Sequence, residues 1–336
     1  MQTSENLLHV LTREGVLINV SVRYWRGTKK LKPQDIGLDA GQVSSRLISL
    51  GHKRLLPKDA LADLALIESR AHAVLETSTF PFLNGLGHFV PNSKLAEVTR
   101  KLRDLEDDFW QAKETFLDRY SSLRTSASGE WRVMAEKLVS DPEQLVATIE
   151  SSFPMQNQME RHFGFDMQLF QISLPEKLSC DLISLADQEG VMLARQKAAQ
   201  DAAEKIRKDT ETFVSDCVAS LREQTATLCH EMLESISSSQ AGVHQKTLNR
   251  LVRFIDQFKQ MNFANDSVME QELDRVRREL LSKTAEEYRD SSVARQRLTQ
   301  GLSQLADKAK SLVHADASQL VERFGELGRR KFHLAA

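Results

Sequence analysis

The sequence predicts a mainly α-helical protein with a small α/β head: an elongated helical bundle or coiled-coil-like body plus a small antiparallel sheet. Three observations predict it. Ala198, Ala202, Ile206, Phe213, Cys217, Leu221, Leu228, Met232 and Ile236 keep apolar steps of 4, 4 and 7 among mostly charged or polar neighbours. That is four helical turns in about fifteen residues, the signature of one long helix with a narrow apolar seam. Leu95, Val98, Leu102, Leu105, Phe109, Ala112 and Phe116 keep a strict heptad, and so do Leu298, Leu302, Leu305, Ala309 and Leu312. Two stretches, Val16 to Trp25 and Phe165 to Leu174, read instead as strands.

Taken in order, Asn6 to Arg13 forms a short helix stopped at Gly15. In the strand that follows, Val16, Ile18, Val20, Val22 and Tyr24 share one face, and β-branched residues fill most of it. Arg26 to Lys32 is a basic loop around Gly27, and Ser44 to Leu50 reads as helix. Pro57-Lys58-Asp59 opens the next helix, whose apolar face runs from Leu61 through Leu75. Phe80 to Pro91, with Asn84-Gly85 at its centre, is a loop or short hairpin packed on the first strand. Asn92 or Ser93 caps the heptad helix, Ser126 to Gly129 breaks it, and a weaker helix runs from Glu130 to Val139. Asp141-Pro142-Glu143 starts a helix that ends at Phe153 and Pro154.

Phe165 to Leu174 joins the sheet begun by the first strand, since a lone strand cannot satisfy its backbone groups. The long rod then runs from about Leu185 to Ser237, with a break to Gly242 and a helix from His244 to Met261. A further helix, capped by Asn265 or Asp266, runs through Tyr288, and the last heptad precedes a basic tail, Arg329-Arg330-Lys331. The rod's seam reads as an intramolecular bundle seam, whose period of about 3.75 residues favours a straight or slightly right-handed bundle. We therefore expect a basic α/β head over 1–92, a long helix and connection over 93–153, a strand returning to the head within 154–180, and an elongated bundle over 181–336.

Composition bounds function. Of 336 residues, 41% are hydrophobic and 27% charged, with 7 Pro and 14 Gly, which fits a folded chain rich in helices. No apolar run approaches a membrane span, and the opening MQTSENLLHVLTREG lacks a basic region and an apolar core, so we expect a cytoplasmic protein. Cys180, Cys217 and Cys229 are odd in number and lack zinc-ligand spacing, so neither a disulfide framework nor a metal is expected. There is no GxxxxGK[ST] loop, no GxSxG elbow and no HExxH helix, and Gly85-Leu86-Gly87 reads as a turn. We expect no cofactor and no enzymatic activity.

Charge is placed unevenly within a net of −2: residues 1–60 hold ten Lys/Arg against five Asp/Glu. The candidate contact residues are Arg23, Trp25, Arg26, Lys29, Lys30, Lys32, Lys53, Arg54 and Lys58, with Tyr24 and Arg46 nearby. Cations interleaved with aromatics suit phosphate contacts and base stacking, and they equally suit an acidic protein surface.

Gly15-Val16-Leu17-Ile18-Asn19-Val20-Ser21-Val22, Trp25-Arg26-Gly27-Thr28-Lys29-Lys30-Leu31, Asp35-Ile36-Gly37-Leu38, Gly51-His52-Lys53-Arg54-Leu55-Leu56-Pro57-Lys58 and Ile67-Glu68-Ser69-Arg70-Ala71 together resemble a bacterial and mobile-element family catalogued as a domain of unknown function. The likeness continues through Phe80-Pro81-Phe82 and Phe89-Val90-Pro91, and beyond about Tyr120 it rests on helical character. The resemblance implies gene neighbours of two kinds, MoxR or CobS-type AAA+ ATPases and von Willebrand A domain proteins. It implies in turn a structural or adaptor component of such an assembly, in mobile-element or antiphage biology. Self-association remains open, and the alternative is a nucleic-acid-binding protein using the basic head.

Overall fold

The computed structural model describes residues 2–38, 47–171, 188–238, 242–313, 320–321 and 323–324. Its elements are α1 (Gln2–Glu14), β1 (Gly15–Arg23), β2 (Thr28–Lys30), β3 (His52–Arg54), α2 (Ala62–Ser78), β4 (Phe80–Phe82), β5 (Gly87–Pro91), α3 (Asn92–Leu138), α4 (Pro142–Ser151), α5 (Gln156–Met159), β6 (Gly164–Phe170), α6 (Gln188–Ser238), α7 (Gln245–Met261), α8 (Ser267–Leu280), α9 (Ala285–Asp290) and α10 (Ser292–Val313). The fold is mainly α with a small sheet part, as the periodicities predict. One sheet is ordered β4-β5-β1-β6, and β2 and β3 form a separate two-stranded ribbon.

The chain divides into two compact units. The first holds residues 1–18, 78–96 and 169–336; the second holds 19–77 and 97–168. The predicted head over 1–92 is therefore shared between them, and the reason lies in its aromatic side chains. Phe80 and Phe89 pack on Phe263, and Phe82 and Phe89 on Phe213, each at ring-centroid distances of 4.7 to 5.6 Å. Aromatic burial of this kind dominates local packing energy, so the hairpin belongs with the C-terminal helices.

In the first unit, α6 spans 51 residues, about 77 Å at 1.5 Å per residue. It packs mainly against α10, and also against α1 and α7. Phe213, Cys217, Leu221, Leu228, Met232 and Ile236 of the predicted seam are all buried. Ala198 is exposed, and Ala202 and Ile206 are half-buried. The seam is also wider than predicted: Val214, Val218, Ala226 and Cys229 are buried beside it, because α6 has several neighbours rather than one.

An ion pair lies inside this core. Arg222 of α6 donates from Nε to Asp266 Oδ2 at 2.6 Å and from Nη1 to the Leu312 carbonyl at 2.5 Å. Asp266 in turn caps α8, accepting the Met269 amide. A buried ion pair stands only when its remaining donors and acceptors are met, and here the guanidinium also takes an orphan carbonyl near the end of α10.

In the second unit, Trp25, Phe116, Tyr120 and Phe153 form an aromatic cluster with Trp25 at its centre. Phe163, in contact with Phe116, extends it to Phe109 and through it to Phe165. The heptad of α3 supplies Leu102, Leu105, Phe109 and Phe116 to this core. Asp141 caps α4 by accepting the Gln144 amide at 3.1 Å, as its position before Pro142 predicts.

The structure corrects four expectations. Helix α3 does not break at Ser126 to Gly129 but continues to Leu138. A mid-helix Gly costs only about 1 kcal/mol relative to Ala, and burial of Ala127 and Ala135 on either side offsets it. Leu47 to Leu50 is not helical, because the Gly51 carbonyl accepts the Leu31 amide at 3.0 Å and draws the chain into β3. The rest of that predicted segment, with Arg46, lies outside the described residues, as do Cys180 and the end of the strand expected to reach Leu174. The helix expected to run through Tyr288 is split after Leu280, because Thr284 and Glu287 form a reciprocal capping box that starts α9. Asn92 and Ser93 give their side chains to the Arg13 and Gln260 carbonyls, so the start of α3 is tied by tertiary contacts.

The continuity of α3 is testable at Gly129, where an added Cβ meets nothing within 4 Å. Gly129→Ala is expected to raise stability by about 0.5–1 kcal/mol in chemical denaturation. A loss of stability would show that the backbone there is not helical.

Candidate docking surface

The predicted contact residues separate into those that hold the fold and those that face solvent. Trp25 is 8% exposed and sits in the aromatic cluster, so it offers no stacking surface. Its place between two arginines suggests a surface residue, but burying an indole among Phe116, Tyr120 and Phe153 is worth more. Arg26 is engaged as well: its guanidinium grips both Glu68 oxygens at 2.5 and 2.6 Å and lies 4.0 Å over the Tyr24 ring. Arg23 ends β1, where its guanidinium lies over Gly164 of β6.

Lys53 is the least available of the predicted contact cations. It is 7% exposed, and its Nζ donates to Asp35 Oδ1 at 2.7 Å. Asp35 Oδ2 accepts the Lys32 amide at the same distance, closing the turn Pro33–Ile36. The carboxylate therefore anchors the middle of β3 and the chain beyond β2 together.

The register of the ribbon explains what remains outside. Lys29 pairs with Lys53, Thr28 with Arg54 and Lys30 with His52. Side chains alternate faces along a strand, so Lys53 points inward while Lys30, His52 and Arg54 share the opposite, outer face. Lys29, Lys30, Lys32, Arg54 and Lys58 are exposed, and among the described residues none of the five has an acidic partner. Lys30 and Arg54 are the cations of the outer face, Lys29 stands across from Lys53 on the other face, and Lys32 and Lys58 lie just beyond the strands. Sequence alone places them in one basic segment but cannot sort them from Arg26 and Lys53, whose partners lie 42 and 18 residues away.

The two described cysteines are buried. Burial pushes the Cys229 thiol up to about 12 and raises Cys217 well above its ordinary value, so neither is a thiolate nucleophile. Among the described residues no group of three His, Cys, Asp or Glu side chains converges as a metal-ligand set, and no helix is long and apolar enough to cross a membrane.

A chain with this fold and ribbon matches the family described as Protein of unknown function (DUF3150) over residues 12–307, and it belongs to that family. No curated protein and no solved structure matches it.

The Arg26 pair makes acid stability testable. Hydrogen bonds from Arg26 hold the Glu68 carboxyl below its ordinary value, against the opposing pull of burial. Folding thus favours the ionised form, and the pair's contribution is complete above the ordinary glutamate range and is lost as pH falls through the depressed value. Glu68→Gln is expected to flatten that part of the melting-temperature profile below about pH 5. An acid limb identical to that of the wild type would show that the pair contributes nothing.

Proposed function

We propose that this chain is a non-enzymatic adaptor that docks through the exposed cations of the β2–β3 ribbon and its flanks onto an acidic protein surface. The observation that carries the reading is the set of five exposed cations on and beside a ribbon pinned by the Asp35–Lys53 pair. Clustered charge of one sign steers an oppositely charged partner and fixes its orientation. The family resemblance supplies the finer proposal. The partner belongs to an assembly of a MoxR or CobS-type AAA+ ATPase and a von Willebrand A domain protein, acting in mobile-element or antiphage biology, with further copies of this chain as an additional binding partner. Docking on protein is preferred to nucleic acid because Trp25, the aromatic interleaved with the arginines, is buried.

Lys29, Lys30 and Lys32 changed together to Glu should abolish capture of the ATPase and von Willebrand A proteins encoded beside this chain, while melting stays at the wild-type temperature. Unchanged capture by the folded triple variant would refute the docking reading. A strong affinity for DNA, falling steeply with salt and lost in the same variant, would replace it with the nucleic-acid reading.

A further inference from the structure

The ribbon is bordered by exposed aliphatic side chains that a purely electrostatic contact would not need. The Trp131 indole donates to the Arg54 carbonyl at 3.1 Å, which sets the end of α3 along the outer edge of β3. Trp131, Met134 and Leu138 are spaced 3 and 4 and form one stripe of α3. Within it Met134 is 47% and Leu138 38% exposed, although Ala135, one residue after Met134, is fully buried. Val133 borders the stripe at 58%.

The far end of the stripe meets the segment that holds the ribbon. Gly37 has a φ of 75° and approaches so closely that a Cβ there would lie 2.7 Å from the Leu138 carbonyl. Leu38, its neighbour, is 37% exposed. An apolar strip thus runs from Arg54 of the ribbon to Leu38, two residues beyond the turn whose Asp35 holds Lys53. Single exposed apolar residues are ordinary, but several of them near cations that have no acidic partner among the described residues are the makeup of a recognition surface.

We infer that this surface takes an acidic amphipathic helix, with its carboxylates on the ribbon cations and its apolar stripe on Met134, Leu138 and Leu38. The inference rests on the docking reading and names the partner's chemistry. Charge complementarity selects an acidic ligand, and the aliphatic strip selects among acidic ligands. A nucleic-acid strand would set phosphates on the cations but has no aliphatic face to bury, and Met and Leu are poor platforms for bases. An acidic helix with apolar residues at i, i+3 and i+7 satisfies both parts at once. The stripe from Trp131 to Leu138 is about 10 Å long, which accommodates about two turns of such a helix.

The test uses the full chain and fluorescence anisotropy at about 0.15 M salt. The probes are a labelled Leu/Glu peptide with Leu in heptad a and d positions, a shuffled peptide of the same composition, oligo-dT and a short DNA duplex. The heptad peptide should bind at least about tenfold more tightly than the shuffled one, a difference of about 1.4 kcal/mol. Met134→Ser with Leu138→Ser should erase that advantage without changing the shuffled peptide's affinity or the protein's melting. Equal affinity for the two peptides, tighter binding of either DNA, or no peptide binding by the folded protein would overturn the inference. Equal binding of both peptides that the Lys29, Lys30 and Lys32 reversal abolishes would leave the docking reading standing. Peptide binding indifferent to that reversal would refute the docking reading itself.

Discussion

The Asp35–Lys53 ion pair is the constraint from which the candidate surface follows. Both side chains are 5% exposed, so their charges are taken out of water and must be repaid by geometry. Asp35 meets this by holding the Lys53 ammonium with one oxygen and the Lys32 amide with the other. One carboxylate thereby fixes the direction of a three-residue strand, the turn beyond its partner strand, and the face on which Lys30, His52 and Arg54 appear. A two-stranded ribbon is marginal by itself in water, and here a buried anchor stands in for the missing third strand.

The first unit solves a similar problem in a different way. Long helices bury apolar faces readily but leave their end groups unmet, and Arg222 answers this at the centre of the bundle by joining α6, the cap of α8 and the Leu312 carbonyl. Both units thus rely on one buried charge pair that reaches across elements distant in sequence. Each is costly to break and holds its neighbours in one arrangement.

Periodicity made much of the fold legible. The seam of α6, the heptads of α3 and α10 and the alternation of β1 are local patterns that survive packing, and Asp141 before Pro142 marked a helix start. Competition between distant residues was not legible. Whether Gly129 ends α3 depends on Ala127, Ala135 and the Trp131 contact, not on Gly129 itself. The division of the head depends on Phe213 and Phe263, far from the hairpin they hold. The basic segment could be read from composition, whereas the roles within it could not. Trp25 turned inward, Arg26 was taken by Glu68 and Lys53 by Asp35, leaving the outer face smaller and better defined than the sequence suggests. The strip of Met134, Leu138 and Leu38 was hidden for the same reason, since it exists only where α3 passes the ribbon.

Amide hydrogen exchange in an Asp35→Asn variant tests the central claim most directly. The Leu31 and Leu55 amides, bonded to the Gly51 and Gly27 carbonyls, bracket the ribbon and report its integrity. Leaving the Lys53 ammonium buried and unpaired should cost about 3–5 kcal/mol locally. Both amides should lose their protection while those of Leu251 and Ile255 in α7 keep theirs. Protection at Leu31 and Leu55 equal to that of the wild type would show that the ribbon stands without its buried anchor, and the account of the docking surface would fail with it.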